Sequence, residues 1–290
     1  PGAWAQANSL LVQLGALSEG RLTPYGAALA KLPLHPRLAQ MLLQAGPRAA
    51  PLAALLSDRD ILSTQNCDLT PALTALRGSS GQKAQADTIR DHSALERIKQ
   101  EAKRLNRLAP KAMRVVALNP AQCLALAYPE RVAQRRPGTQ PRYIMAGGKG
   151  AVLASDDSMA NAQYLVISDL GNPHARTGPD PKIRRALALT ESELREVFAE
   201  RITWETRCRW SKRHRRVIAS RSETLDALSL TQEVWREAPT EALTAAMVEG
   251  VKHMGLRLPK AARLLQARVA AAPAGQFPDY SDAALLEASP

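Results

Sequence analysis

The chain has 290 residues, 45% of them hydrophobic and 23% charged, and a formal net charge of +12. That length implies two or more domains, the composition is that of a folded protein, and no apolar run of about 18 residues exists to cross a bilayer. Cys67, Cys123 and Cys208 are odd in number and widely spaced, which fits neither a disulfide framework nor a zinc site and suits buried small hydrophobes.

Residues 3–14 carry Ala3, Ala7, Leu10, Leu11 and Leu14 at helical spacing, and the helix stops at Gly15. A tight Glu19-Gly20 turn follows. Thr23 is a good N-cap for a second helix, and Pro24 fits its first position because the missing N–H would be unpaired there anyway. That helix ends before Pro33, and His35-Pro36-Arg37 launches a third, with Leu34, Leu38, Met41, Leu42 and Ala45 inward and Gly46-Pro47 as its stop. Pro51 begins a helix through Leu56, and Gly78-Ser79-Ser80-Gly81 reads as a loop. A long basic helix is predicted over 87–108, with Ile89, Leu95, Ile98, Ala102 and Leu105 inward. Its outer face carries Arg90, Arg97, Lys99, Lys103, Arg104 and Arg107, as a solvated face or as one turned to a polyanion.

After Asn119-Pro120 the character changes. A helix over 121–127 is broken by Tyr128-Pro129, and short β-like runs follow at 131–136, 142–145, 151–154, 163–169 and 183–189. Such spacing suggests a small barrel or sandwich, for which an OB-like barrel is a natural candidate. Thr190 and Glu193 form a capping box for a helix ending near Phe198. Trp204, Thr206, Cys208 and Trp210 then share one strand face, and Glu205, Arg207 and Arg209 the other. By that alternation both tryptophans are expected to be buried. A turn at 211–214 returns the chain as a partner strand over 215–221. Helices are expected over 240–254, closed by Gly255, and from Pro259 to before Pro273. Phe277-Pro278-Asp279-Tyr280 leads into something further.

The order of helix, small turn, short helix, proline hinge and long helix resembles the junction of winged helix and helical bundle in DEAH-box RNA helicases. The blocks GRLTPYGAALAKLPLHPRLAQML at 20–42, ALLSDRDIL at 54–62, LALAYPERVAQRR at 124–136, YIMAGGKGAVL at 143–153, YLVISDL at 164–170 and GLRLPKAARLLQARV at 255–269 together narrow it. The chain resembles the C-terminal portion, without the motor domains, of the HrpB-type DEAH-box ATP-dependent RNA helicases of bacteria. The resemblance implies a multidomain α+β fold. It consists of the end of a winged-helix domain (1–33), a ratchet-like helical bundle (34–118), an OB-like β-barrel (119–200) and the start of a mixed C-terminal extension (201–290). It also implies a winged helix that serves as a hinge, and NTP-driven movement along RNA with ATP and Mg as cofactors of the parent protein.

No engine is legible in the chain itself. Phosphoryl transfer of this kind needs a G-x-x-x-x-G-K-[ST] loop and an acid for Mg²⁺. Gly147-Gly148-Lys149-Gly150 lacks the following Ser/Thr and the upstream Gly, lies between two β-like runs, and reads as a β-turn; no DEAH sequence occurs. The chain alone is therefore expected not to hydrolyse ATP and to hold no cofactor. Asp156-Asp157 reads as a pair of solvated turn residues. His35, His92, His174, His214 and His253 have no metal-like spacing.

The charge is uneven: +7 over 1–115, +7 over 116–220 and −2 over 221–290. Two basic sets are candidates for nucleic acid. Arg135, Arg136, Arg142, Lys149, Arg184 and Arg185 lie on the barrel-like part, which the resemblance places at the exit of a single-strand channel. Arg207, Arg209, Lys212, Arg213 and Arg215 surround the hairpin, where solvation and phosphate contact are both open. The expected partners are single-stranded RNA, with DNA open, and motor domains upstream; no membrane is expected, and the oligomeric state is undetermined. The alternative is a protein-docking platform that recruits or regulates a motor. A proline at residue 1 with no signal-peptide pattern points to a cytoplasmic protein or a piece of one, and Pro1 and Pro290 are awkward natural termini.

Overall fold

The structure, a computed structural model, describes residues 2–63, 66–78, 89–111, 113, 117–171, 180–273 and 276–287. It divides into two compact units, 1–202 with 225–228, and 203–224 with 229–290.

The first unit opens with α1 (Gly2–Gln13), the hairpin β1 (Leu17–Ser18) and β2 (Arg21–Leu22), α2 (Pro24–Ala30) and α3 (Pro36–Ala45). The hairpin turn needs positive φ at both central residues, and Glu19 (50°) and Gly20 (74°) supply it. Among the described side chains along α1, only Leu14, just past its end, is fully buried; Leu10 and Leu11 are half-buried. Thr23 caps α2 by accepting the Gly26 N–H at 2.9 Å, while its hydroxyl donates to Gly15 O at 2.7 Å, so one residue ties hairpin to helix. Gly26 has no substitute there, because a Cβ would strike the Ala16 carbonyl.

A 3-10 turn at Gly46–Ala49 leads into α4 (Ala50–Ser57), then α5 (Thr70–Arg77) and α6 (His92–Leu108). Helix α4 packs on α6, α5 and α3, building a helical layer around Leu42, Leu52, Leu95, Ile98 and Leu105. Helix α6 starts later than its periodicity suggests. Asp91 accepts the Ala94 N–H as N-cap, while Ile89 lies before the helix in a bridge to Leu62. Residues 87 and 88, and the predicted loop beyond Gly78, lie outside the described residues. On the outer face of α6, Lys99 pairs with Glu96 and Arg104 with Glu101 within the helix, Arg97 pairs with Asp58 at the end of α4, and Lys103 and Arg107 are exposed. Arg90 donates to the Leu62 carbonyl.

Helix α7 (Pro120–Ala127), with an Asn119/Gln122 capping box, packs against α3 and against a five-stranded antiparallel sheet. Its strands are β3 (Val132–Arg135), β4 (Arg142–Met145), β5 (Gly150–Val152), β6 (Tyr164–Leu170) and β7 (Ile183–Leu189), in the order β5-β4-β3-β6-β7. The sheet curls into a half-barrel, since its outer members meet through a parallel bridge between Val152 and Lys182. Inside the curl lie Ala133, Tyr143, Met145, Ala151, Leu165, Ile167, Ile183 and Ala186 with Cys67 and Met159. The 67–69 segment covers the edge of β7: Ala186 N–H donates to Cys67 O at 2.7 Å, and Leu69 N–H to Ala186 O at 3.1 Å. Asp157 is no idle turn residue. Its carboxylate accepts the N–H groups of Cys67 and Met159 and so pins that segment to the sheet; Asp156 is exposed. The Tyr143 hydroxyl, buried and donating to Ala162 O, is pushed up to about 12 by burial. Helix α8 (Glu191–Phe198) closes the unit, with the Thr190/Glu193 capping box in place.

The second unit is a meander of β8 (Thr203–Ser211), β9 (Arg216–Leu225) and β10 (Leu228–Val234), followed by α9 (Thr240–Met254), α10 (Lys260–Ala270) and α11 (Asp282–Glu287). Helix α9 packs on β8, where Gly250 leaves room for the Trp210 ring.

Candidate nucleic-acid interface

On the curled sheet, backbone hydrogen bonds gather cations that are distant in sequence. Arg136 N–H donates to Arg142 O at 2.7 Å, and Arg142 forms a 2.8 Å ion pair with Asp180. The Asp180 carboxylate occupies the space a side chain at Gly150 would take, which is why β5 begins with glycine. Val152 N–H donates to Pro181 O at 3.0 Å, and Gly171 N–H to Lys182 O at 2.7 Å. The Arg184 Nε lies over Gly171. Arg136, Arg142, Lys182 and Arg184 are all exposed and form one arc about Asp180. Lys182 is absent from the sequence-derived set because it stands one residue before β7; its nearness to Arg142 is created by the curl.

Other members of the predicted set lie elsewhere. Arg185 is only 9% exposed, and its guanidinium meets Asp60 at 2.5 Å and the Asn66 carbonyl at 2.7 Å, a positioning role in the interior. A register shift between β6 and β7 at Asp169 accompanies this: the Arg184-Arg185 pair splits, one out and one in. Arg135 is half-buried and donates to the Ala160 carbonyl at 3.0 Å, closing the 155–162 loop. Lys149 is exposed in the turn between β4 and β5, where Met145 N–H donates to its carbonyl and Gly148 has φ 81°. Gly147 to Gly150 thus form a hairpin turn.

Near that turn Tyr128 sits between two guanidiniums, Arg37 at 5.3 Å and Arg131 at 4.8 Å from the ring centroid. Glu130 accepts Arg37 in a bidentate pair at 2.8 and 2.9 Å, which ties α3 to the start of the sheet. His35 caps α3 by accepting the Arg37 N–H at 3.3 Å, and burial with the nearby Arg37 charge holds its imidazole below the usual range.

In the second unit the alternation of β8 holds, but the burial does not. Trp210 is half-buried under α9, whereas Trp204 is 51% exposed beneath the Arg221 guanidinium at 5.1 Å. Helix α9 covers only one end of that face. Arg207, Arg209, Lys212, Arg213 and Arg215 are exposed, with Lys212–Arg215 forming the turn and Arg215 at φ 50°. Cys67 and Cys123 are buried and Cys208 half-buried, all as free thiols. Among the described residues no cluster of His, Cys, Asp and Glu could hold a metal ion, and no helix is long and apolar enough to cross a membrane.

Residues 9–34 match the winged-helix family of the helicase associated domain HA2. Over 255 residues the chain is 29% identical to the ATP-dependent RNA helicase HrpB of Escherichia coli strain K12, an overlap of 86% of this chain and 29% of that protein. The crystal structure of the E. coli DExH-box NTPase HrpB superposes with a TM-score of 0.61 at 28% identity, covering 97% of this chain and 34% of that one. A crystal structure of the Escherichia coli DEAH/RHA helicase HrpB shares the fold, with a TM-score of 0.61 at 24% identity and the same coverage. The chain spans about a third of the length of these relatives. It is a homologue of the HrpB-type helicases, consistent with the C-terminal part of such a protein.

Proposed function

We propose that this chain is the accessory C-terminal region of an ATP-dependent RNA helicase, gripping single-stranded nucleic acid without base specificity for motor domains upstream. The observation that carries the reading is the exposed arc of Arg136, Arg142, Lys182 and Arg184 on the curled sheet, in a homologue of HrpB. Guanidinium and ammonium groups at loop edges contact phosphates and leave base identity unread.

An OB-like barrel is supported by the strand order with its parallel bridge between the outer strands, and such barrels bind oligonucleotides at the face and loops where the arc lies. The ratchet-like role of the helical layer, the division at 33, 118 and 200, and the cytoplasm as compartment belong to the same proposal. So do ATP and Mg, held by the upstream motor and not by this chain. Reversing three charges (Arg136→Glu, Lys182→Glu, Arg184→Glu) should weaken binding of an unstructured RNA and flatten its salt dependence by about three phosphate contacts. An unchanged slope refutes the site.

A second reading, a protein-docking platform, is favoured by one observation: Met247, Met254, Leu264, Leu265 and Phe277 are exposed in the second unit. It predicts salt-insensitive, weak RNA binding together with specific capture of a helicase motor.

A further inference from the structure

We infer that the polar face of the β8–β9 hairpin takes the sugar–phosphate backbone of paired RNA. This deepens the nucleic-acid reading above, on which it rests, by giving the second unit a different form of strand from the first.

Register sorts the hairpin into two chemically distinct faces. Arg207 and Arg209 stand two residues apart on β8, so they share a face. Across the strand pair, Arg207 stands opposite Ser220, Glu205 opposite Ser222, Ser211 opposite Arg216 and Thr203 opposite Thr224. One face therefore carries three arginines with the exposed Thr203 and the half-buried Ser211, Ser220 and Ser222; Ile218 stands opposite Arg209, and Thr224 is buried with its hydroxyl donating to Thr203 O. Arg207, Arg209 and Arg216 are all exposed, and Lys212, Arg213 and Arg215 extend the charge around the turn. The one acid among residues 203–216 is Glu205, 3.9 Å from Arg207, with the two side chains 51% and 76% exposed. A pair that long and that wet neutralises little. Like charges crowded on one sheet face are destabilising, and a polyanion laid across them removes the repulsion.

The aromatic rings of the hairpin strands are on the other face. Trp210 lies under α9, and Trp204 is overlaid by Arg221, which is itself tied to Glu233 at 3.0 Å. No strand position on the arginine face carries a ring on which an unpaired base would stack, the feature that single-strand platforms depend on. Guanidinium and hydroxyl groups instead match phosphate oxygens and ribose 2′-hydroxyls. An RNA duplex presents these along its minor groove while keeping its bases paired, and it is bound by shape with little regard for sequence.

The test uses the whole chain and three labelled probes: RNA duplexes of about 16 base pairs in two unrelated sequences, and an unstructured single strand of the same length. Arg207→Glu with Arg209→Glu should weaken binding of both duplexes about tenfold and flatten their salt slope by about two, leaving the single strand within about twofold. Lys182→Glu with Arg184→Glu should do the reverse. Arg207→Gln with Arg209→Gln, checked by thermal unfolding, gives the same ordering with a smaller effect should the reversal disturb folding. Equal losses for both kinds of probe, absence of duplex binding by the unaltered chain, or competition by polyglutamate as effective as by duplex RNA each overturn the inference. Absence of single-strand binding by the unaltered chain, with duplex binding present, overturns the function proposed for the first unit and leaves this face standing.

Discussion

Arg184 and Arg185 are neighbours in sequence with opposite fates, and exchanging each for methionine separates structure from binding. Methionine keeps much of the arginine stem's packing and removes every donor. At Arg185 the change deletes the 2.5 Å pair with Asp60 and hydrogen bonds to the carbonyls of Asn66 and Arg184 at 2.7 and 2.9 Å. Hydrogen bonds from a charged donor contribute about 1.5–3 kcal/mol each. Asp60 is 48% exposed and regains water, so its share is discounted. The net cost is about 2–3 kcal/mol, which in a unit of this size lowers Tm by roughly 5–10 °C. The exposed Arg184 should instead cost under about 0.5 kcal/mol and reduce the salt slope of RNA binding by about one. Thermal unfolding and a salt-series titration on both variants read the two effects separately. A flattened slope with unchanged Tm for Arg185→Met refutes the reasoning.

Gly26→Ala should destabilise the first unit by about 1–3 kcal/mol, because its Cβ meets the backbone carbonyl of Ala16, which cannot rotate away; a denaturant midpoint unchanged from the parent contradicts this. The neutral His35 imidazole caps α3, and its folded pKa is depressed, so protonation favours the unfolded chain. Stability should therefore hold above the unfolded value of about 6.5 and fall as pH drops through it, and His35→Asn should remove that dependence from pH-resolved unfolding curves. Burial pushes the Cys67 thiol well up and Cys123 to about 11, while Cys208 is only half-buried. A thiol reagent under native conditions should label Cys208 first, and mass mapping that finds Cys67 first contradicts the packing.

Much of the fold is legible in local grammar. Thr23-Pro24, His35-Pro36, Asn119-Pro120 and Thr190 with Glu193 fix helix starts through chemistry carried by adjacent residues, and all four hold. The five short strands of the curled sheet follow from alternation between turn residues. Tertiary pairing overrode local pattern elsewhere. Ile89 fits the period of α6 yet bridges to Leu62, and the eight-residue α5 is too short for its periodicity to mark it. The site was the least readable part. Charge counts identify arginines, but Arg185 turns inward through a register shift and Lys182 joins Arg142 only when the sheet curls. Trp204 stays exposed because the covering helix ends its contact near Trp210, a fact of helix placement that strand alternation does not contain.

The central claim, that the cation arc of the curled sheet grips a strand through its phosphates, is tested most directly by titrating an unstructured RNA from about 50 to 200 mM salt against the chain and its Arg136→Glu, Lys182→Glu, Arg184→Glu variant. The account predicts binding that weakens steeply with salt for the parent and a slope shallower by about three for the variant. Identical slopes for the two proteins, or no binding by the parent at the lowest salt, would contradict it.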